Sequence, residues 1–177
     1  MGQIVPFRPQ KLVIGILISR PRMRRRLIEE LHSCYGPIDY TSRDLPFAYT
    51  RYYDEEMGTP ISRFFISFLR LVDPGLLAQI KNETNELETR FCEAGKRKVN
   101  IDPGLLGLSR FILASSKDGS HRVPLSGGVF AEITLVYEKG GYRALPWTYP
   151  DYRSAEYLDL LADIRQLYKA QANQRSA

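Results

Sequence analysis

The chain has 177 residues, of which 44% are hydrophobic and 25% are charged, and its formal net charge at pH 7 is +5. This composition is typical of a globular protein and excludes a collagen, a coiled-coil rod, a disordered tail and a disulfide-rich miniprotein. With two cysteines and no apolar run long enough to cross a bilayer, we expect a soluble cytoplasmic protein with no membrane partner. The positive charge permits nucleic acids, nucleotides or phosphorylated metabolites as partners and selects none of them.

Apolar periodicity predicts alternating strands and helices over the first half of the chain. Residues Leu12 to Ile18 are apolar at every position, which predicts a strand covered on both faces. Ser19 is expected to cap the helix that follows. The elements predicted after that helix are a short strand at 38–45, an aromatic and acidic loop or broken helix at 47–60, a strand at 62–72, and a helix at 73–91 that Asp73 caps.

Turn signals divide the second half into shorter strands. A strand at 96–101 is expected to end in a turn at Asp102-Pro103-Gly104. Strands at 110–115, 123–125, 129–137 and 142–145 follow, and then a final helix that Ser154 caps. Because no internal repeat or linker occurs, we predict a flexible arm at 1–10, one globular domain at 11–170 and a frayed tail at 171–177.

This order of elements predicts an α+β fold made of a single domain, with a mainly antiparallel sheet and helices on one face. A ferredoxin-like core with a β-hairpin extension accounts best for the order strand-helix-strand-strand-helix-strand. A small three-layer α/β domain is the alternative.

A basic patch lies at the start of the first predicted helix. Arginine presents a planar fork of donors that suits phosphate, so this patch could bind nucleic acid. The alternative is a solvated helix face, partly balanced by Glu29 and Glu30. The patch consists of Arg20, Arg22, Arg24, Arg25 and Arg26.

Segment 116–122 collects charged and titratable side chains in a predicted turn between two strands. Lys117 and Arg122 are candidates for holding a phosphate, and His121 is a candidate for donating or shuttling a proton. Glu132 falls in the middle of an apolar strand, where a carboxylate requires water, a cation or a metal. We therefore predict His121 and Glu132 as catalytic candidates, with a structural ion pair between Arg122 and Glu132 as the alternative.

Oxygen-bearing side chains gather on the second predicted helix and just after it. Asn85 and Glu88 share one helical face, and Asn100 and Asp102 follow on the next strand and turn. Together these four side chains could bind Mg²⁺, the ion that accompanies nucleotides, so Mg²⁺ is the candidate cofactor. The aromatic segments 49–58 and 147–153, the second containing Trp147, could stack on a base or could cover an edge of the core.

Several enzyme signatures do not occur in this sequence. It contains neither the G-x-x-x-x-G-K-[ST] phosphate loop nor the G-x-G-x-x-G dinucleotide motif, and it lacks the G-x-S-x-G nucleophile elbow. Its histidines, His32 and His121, are too few and too far apart for a zinc site of the usual kind. Whether the chain is an enzyme is therefore left open.

The segments KLVIGIL, IDY, YYDEEMG, TNELE, KVNIDPGLLGLSRFILASSKDGSHRVPL, GGVFAEITLVYEKG and LPWTYPDYRSAEY follow one another along nearly the whole chain. In these segments the chain resembles a bacterial family, domain of unknown function 4416. Similar proteins are sometimes labelled GTP-binding, so the resemblance implies a nucleotide such as GTP. It also implies that one pattern contains the loop 147–153 together with Asn85, Glu88, Asn100, Asp102, Lys117, His121, Arg122 and Glu132.

The leading hypothesis is a domain that binds, with or without turning over, a phosphorylated small molecule such as a nucleotide. Lys117 and Arg122 would hold the phosphate, and Glu88, Asp102 and Glu132 would orient a cation or the ligand. The alternative is a non-catalytic RNA- or protein-binding domain that uses the arginines at 20–26.

Overall fold

The computed structural model describes residues 2–174. The helices are α1 (Arg24–Tyr35), α2 (Asp54–Met57), α3 (Leu77–Thr89) and α4 (Ala155–Gln174). The strands are β1 (Gln10–Ile18), β2 (Ile38–Thr41), β3 (Leu45–Pro46), β4 (Ser62–Val72), β5 (Cys92–Glu93), β6 (Lys96–Arg97), β7 (Val99–Leu106), β8 (Arg110–Ser115), β9 (Arg122–Pro124), β10 (Phe130–Glu138) and β11 (Gly141–Ala144). Short 3-10 turns lie at Pro21–Met23, Pro74–Leu76 and Asp151–Arg153.

The main sheet has the strand order β11-β10-β8-β7-β1-β4-β2, with β3 beside β4 and β9 beside β10. Neighbouring strands in it are antiparallel. The part β7-β1-β4-β2, with α1 and α3 as connections, has the ferredoxin-like order, and β8, β10 and β11 extend it. The predicted single-domain α+β fold with a mainly antiparallel sheet is confirmed.

The helices lie on both faces of the sheet. Ile14 and Ile16 of β1 belong to a core that includes residues of α1 and α3. Val13, which points to the opposite face, belongs to a core that includes Tyr157 and Leu161 of α4. The predicted placement on one face therefore holds for α1 and α3 but is wrong for α4. The physical reason is that the continuous apolar run of β1 needs a cover on each side.

Two of the three predicted helix caps are present. Asp73 accepts a hydrogen bond from the Gly75 backbone amide at 2.8 Å. The Ser154 hydroxyl accepts one from a backbone amide in the first turn of α4. Ser19 is not a cap, because its hydroxyl donates to the Met57 carbonyl oxygen at 2.7 Å and thereby ties β1 to α2.

The predicted turn at Asp102-Pro103-Gly104 is wrong, because β7 runs straight through these residues. They pair with β1 in continuous register, with Pro103 opposite Ile14. A Cβ at Gly104 would lie 2.7 Å from the Ile112 carbonyl oxygen, so glycine at this position lets β8 approach closely. Pairing of all three residues with β1, and of Gly104 with β8 as well, overrides the local turn signal.

β7 and β8 pair only from Gly104 to Leu106 and then separate. The next residue of β7 in this register is Pro103, which has no N–H to donate to a neighbouring strand. Beyond it, Ile101 pairs with β1 on one side, while its other edge faces away from β1. The sheet is therefore split between β7 and β8 at this end.

Side chains of α3 form hydrogen bonds with the edge of β7 that has no partner strand at the split. The backbone N–H of Ile101 donates to Glu88 Oε1 at 2.6 Å. The carbonyl oxygen of the same residue accepts from Lys81 Nζ at 2.8 Å. Glu88 and Lys81 are both buried, so together they satisfy groups that a partner strand bonds in a regular sheet.

The two ends of the described chain differ in structure. Residues 2–9 have no regular secondary structure. Helix α4 continues past its predicted end at residue 170, because Gln171 accepts from Lys11 Nζ at 2.9 Å and donates to the Leu69 carbonyl oxygen at 3.0 Å. Met1 of the predicted arm and residues 175–177 of the predicted tail lie outside the described residues. None of the helices described has the length and hydropathy needed to span a membrane.

The bonds that hold the split open predict different effects for two substitutions of Glu88. Glu88→Ala should lower the free energy of unfolding by about 1–3 kcal/mol, because it leaves the buried Ile101 N–H without an acceptor. Glu88→Gln keeps an acceptor oxygen and should cost less. Urea denaturation measures both, with exposed Glu86→Ala of the same helix as control. A Glu88→Ala variant as stable as this control would contradict the assignment.

Candidate functional site

A cavity of about 550 Å³ lies where β7 and β8 separate. Charged and polar residues of the strands and of α3 line one part of it. Aromatic residues from the segments 47–53 and 149–152 line the rest. The split in the sheet explains why side chains from α3, on one face, meet residues near the start of α4, on the other.

Arg63 of β4 is the most deeply buried cation of the cavity wall, with 3% of its surface exposed. Its guanidinium donates to Asp102 Oδ2 and to Asp151 Oδ2, both at 3.2 Å. Burial would raise the pKa of Asp102, but Lys81 and Arg63 outweigh it, so this pKa lies below its ordinary value. Burial raises the pKa of Asp151 although Arg63 opposes the rise.

A second cation, Arg97, holds the neighbouring polar residues. It donates to Asn100 Oδ1 at 2.9 Å, to Glu88 Oε2 at 2.6 Å and to Glu56 Oε1 at 2.6 Å. Burial raises the pKa of Glu88 despite the cations around it. Asn100 in turn donates to Asp102 Oδ2 at 2.8 Å, which links Arg97 and Arg63 in one network.

The residues predicted to bind Mg²⁺ have other partners. Glu88 and Asp102 bond to cations and amides, and Glu88 does not line the cavity. Asn85 lines the cavity, and its side chain makes no hydrogen bond within residues 2–174. In the described part of the chain, no group of three or more His, Cys, Asp or Glu side chains is arranged to hold a metal ion.

Exposed aromatic rings line the mouth of the cavity. Tyr52 is 61% exposed, and Tyr49 and Tyr149 are also exposed. The Tyr52 ring meets Tyr53 edge to face with centroids 5.0 Å apart. The Lys117 ammonium lies 4.0 Å from the Tyr52 ring centroid. Rings that face both solvent and a cavity can stack on a planar ligand.

Glu132 connects the cavity to the residues predicted around His121. It lines the cavity, is 1% exposed, and its Oε2 lies 3.1 Å from His121 Nε2 and 2.9 Å from Arg122 Nε. The predicted pairing of Arg122 with Glu132 is present. Arg122 also donates to the Lys117 carbonyl oxygen and to the Tyr149 hydroxyl. Lys117 lines the cavity, whereas His121 and Arg122 support Glu132 without lining it.

Trp147 packs against His121, which supports Glu132 of the cavity wall. The two rings stack with centroids 5.4 Å apart and an interplanar angle of 19°. The indole N–H donates to the Ile133 carbonyl oxygen at 2.8 Å, and Trp147 does not line the cavity. Tyr149, Asp151 and Tyr152 of the same aromatic segment do line it.

The predicted set omits three cations of the cavity wall, Arg63, Lys81 and Arg97, and it contains Asp151 and Tyr152 only as unnamed members of the loop 147–153. Arg63 carries a usable signal, because a charge inside the apolar run SRFFISFLRLV must have a buried partner. Gly15 is a second such signal, since it is the one position without a side chain in the apolar run of β1. A Cβ there would lie 2.9 Å from Arg63 Nη1 and 2.9 Å from the Tyr152 hydroxyl.

The basic patch lies outside the cavity, and its arginines have partners. Arg20 and Arg22 both pair with Glu93, Arg24 pairs with Asp44, and Arg25 pairs with Glu29. The remaining Arg26 has its guanidinium 5.0 Å from the centroid of the Phe91 ring. Nucleic-acid binding by this patch stays a prediction.

The match to a family agrees with the resemblance seen in the sequence. The family model described as Domain of unknown function (DUF4416) matches residues 8–168. The chain belongs to this family. The cavity-lining residues all fall inside the part that matches DUF4416. No curated protein and no solved structure shows significant similarity to the chain.

The contact of Arg63 and Tyr152 with β1 predicts that Gly15→Ala is destabilising. The added methyl group would collide with both side chains, so the free energy of unfolding should fall by about 1–3 kcal/mol. In the control Gly141→Ala the new methyl group meets nothing within 4 Å, and the change should stay within about 0.5 kcal/mol. Urea denaturation compares the two. Equal stabilities would contradict this packing.

The lowered pKa of Asp102 predicts a pH dependence. Its ionisation stabilises the folded protein above the unfolded pKa of about 4, and this contribution disappears as the pH falls through the folded pKa. Wild-type protein should therefore lose more stability between pH 6 and pH 3 than Asp102→Asn does. The exposed Asp159→Asn serves as control and should follow the wild type. Parallel curves for wild type and Asp102→Asn would refute the assignment.

Proposed function

We propose that this protein binds a phosphorylated small molecule with a planar ring, such as a nucleotide, in the cavity between β7 and β8. The observation that carries the proposal is the position of the Lys117 ammonium, 4.0 Å from the exposed Tyr52 ring at the cavity mouth. A cation beside an accessible ring suits a ligand that joins an aromatic heterocycle to a phosphate.

The volume of the cavity supports this size of ligand. Sites for small molecules and cofactors occupy about 300–1,000 Å³, and this cavity has a volume of about 550 Å³. Its mixed lining is also suitable, because aromatic side chains supply contact area while a few polar groups fix the orientation.

The phosphate end is assigned to donors with no other role in the structure. Lys117 forms no ion pair with a carboxylate in the described part of the chain. Ser116 and Asn85 line the same cavity, and their side chains make no hydrogen bonds within residues 2–174. Arg122 is bonded to Glu132, Lys117 and Tyr149, so we assign it the role of holding these residues rather than the phosphate.

Turnover of the bound nucleotide is a second activity to look for in the same site. In a hydrolysis, Glu132, which is buried in the cavity wall, would take a proton from a water molecule that attacks a phosphoryl group, while the bond from that phosphorus to the leaving oxygen breaks. His121, 3.1 Å away and 25% exposed, would pass that proton to solvent. We keep binding as the proposed function, and turnover as an extension of it that Glu132→Gln would remove.

The experiment is a thermal-shift panel with ATP, GTP, CTP, UTP and the matching nucleosides, each with and without Mg²⁺. A bound ligand should raise the melting temperature with its concentration. Lys117→Ala should weaken nucleotide binding about tenfold and leave nucleoside binding unchanged, because the lost contact is a charge-assisted hydrogen bond. Tyr52→Ala should weaken both through lost stacking.

Two variants serve as controls. Lys169→Ala removes an exposed lysine of α4, and Phe7→Ala removes an exposed ring from the segment 2–9. Both should bind as the wild type does. If no nucleotide or nucleoside at millimolar concentration shifts the melting temperature, or if the Lys117 and Tyr52 variants match their controls, the proposed function is wrong.

A further inference from the structure

The charged groups at the cavity balance one another in number. Within residues 2–174, five lysine and arginine side chains line the cavity or form an ion pair with a carboxylate that lines it: Arg63, Lys81, Arg97, Lys117 and Arg122. Five carboxylates line the cavity or pair with one of these cations: Glu56, Glu88, Asp102, Glu132 and Asp151. These groups therefore offer no surplus of positive charge to a ligand with several negative charges.

Lys117 is the one member of this set without an ion pair in the described part of the chain. A phosphate that bound to a paired cation such as Arg63 would compete for it with the buried carboxylate of Asp151. Lys117 is exposed, so it can bind a phosphate without displacing a carboxylate. One cation of this kind matches one phosphate group.

The surface beyond Tyr52 does not supply the missing positive charge. A second cavity, of about 340 Å³, shares Tyr52 with the first and is otherwise lined by Glu55, Glu56 and Lys96. Lys96 Nζ donates to the backbone carbonyl oxygen of Glu55 at 3.1 Å, and the exposed Glu55 carboxylate forms no ion pair within residues 2–174. Further phosphates that extended from Lys117 past Tyr52 would meet two carboxylates and one lysine. Repulsion by the carboxylates would offset the attraction of that lysine.

We propose that the ligand of the cavity between β7 and β8 carries a single phosphate group, so that the site is one for nucleoside monophosphates. This inference rests on the proposed function and names the class of ligand within it. The ring stacks on Tyr52 and the phosphate binds Lys117. A second and a third phosphate bring negative charge towards Glu55 and gain no unpaired cation of the cavity wall.

The test measures binding by calorimetry with the nucleoside and the mono-, di- and triphosphate of adenine, guanine, cytosine and uracil. EDTA is present throughout, so that Mg²⁺ does not neutralise the phosphates. For a base that binds, the wild type should bind the monophosphate about tenfold more tightly than the nucleoside, because Lys117 contacts the first phosphate. The di- and triphosphate should bind no more tightly than the monophosphate.

Glu55→Lys should make the further phosphates favourable. It places a cation beside Tyr52 where the wild type has a carboxylate, so triphosphate binding should tighten about 5- to 10-fold while monophosphate affinity changes less than about twofold. Glu86→Lys is the matched control, because it makes the same change of charge at an exposed position of α3 that lines neither cavity. This control should bind each compound as the wild type does.

The outcomes separate this inference from the proposed function. If the wild type binds a triphosphate more than about threefold more tightly than the monophosphate, the inference is wrong and the proposed function stands. An unchanged ratio of triphosphate to monophosphate affinity in Glu55→Lys has the same meaning. If Glu55→Lys does not fold, the wild-type series alone decides. If none of the nucleosides and nucleotides binds, the proposed function and this inference both fail.

Discussion

The site depends on the hydrogen bonds that the backbone of Ile101 makes on the side of β7 where β8 is absent. In a regular sheet, a neighbouring strand would form hydrogen bonds with both the N–H and the C=O of Ile101. β8 would then have to run beside β7 to the end of that strand. Glu88 and Lys81 supply these two bonds from α3, so β8 can turn away after Leu113 without leaving a buried backbone group unpaired. The cavity therefore opens where the core strands cease to pair, and the segments 47–53 and 149–152 complete its wall.

This way of bonding the strand also explains the charges inside the cavity. Lys81 must reach the Ile101 carbonyl, and that position brings its ammonium 3.7 Å from Asp102 Oδ1. Asp102 then bonds with Arg63, which bonds in turn with Asp151. A buried charge is tolerated only when it is paired, so each member of the network requires the next. The close approach of Arg63 to β1 requires Gly15, and the cavity wall is thus coupled to the central strand.

Much of the fold could be predicted from the sequence, because it follows from local patterns. Apolar runs predicted the first and last residues of β4 and β8. The buried charge of Glu132 predicted Arg122 as its partner. The features that could not be predicted have a common cause, because each depends on contacts between residues far apart in the chain. Asp102-Pro103-Gly104 forms a turn in many contexts, and only its pairing with β1 keeps it extended. Arg63, Lys81 and Asp151 look unrelated until β4, α3 and the turn before α4 meet at the split.

The placement of charge distinguishes the two classes of partner that the basic composition permits. Long-range attraction of a polyanion needs a surface of uncompensated cations, whereas three carboxylates partly neutralise the patch: Glu93 pairs with both Arg20 and Arg22, Asp44 pairs with Arg24, and Glu29 pairs with Arg25. At the cavity, Lys117 has no carboxylate partner in the described part of the chain and lies beside exposed rings. The ligand that we propose there would be bound by stacking and by one charge-assisted contact, so its affinity would depend less on salt than that of a polyanion held by many cations. The net charge of +5 is therefore a poor guide to function, and the local balance of charges around the split sheet is the observation on which the proposal of a small ligand rests.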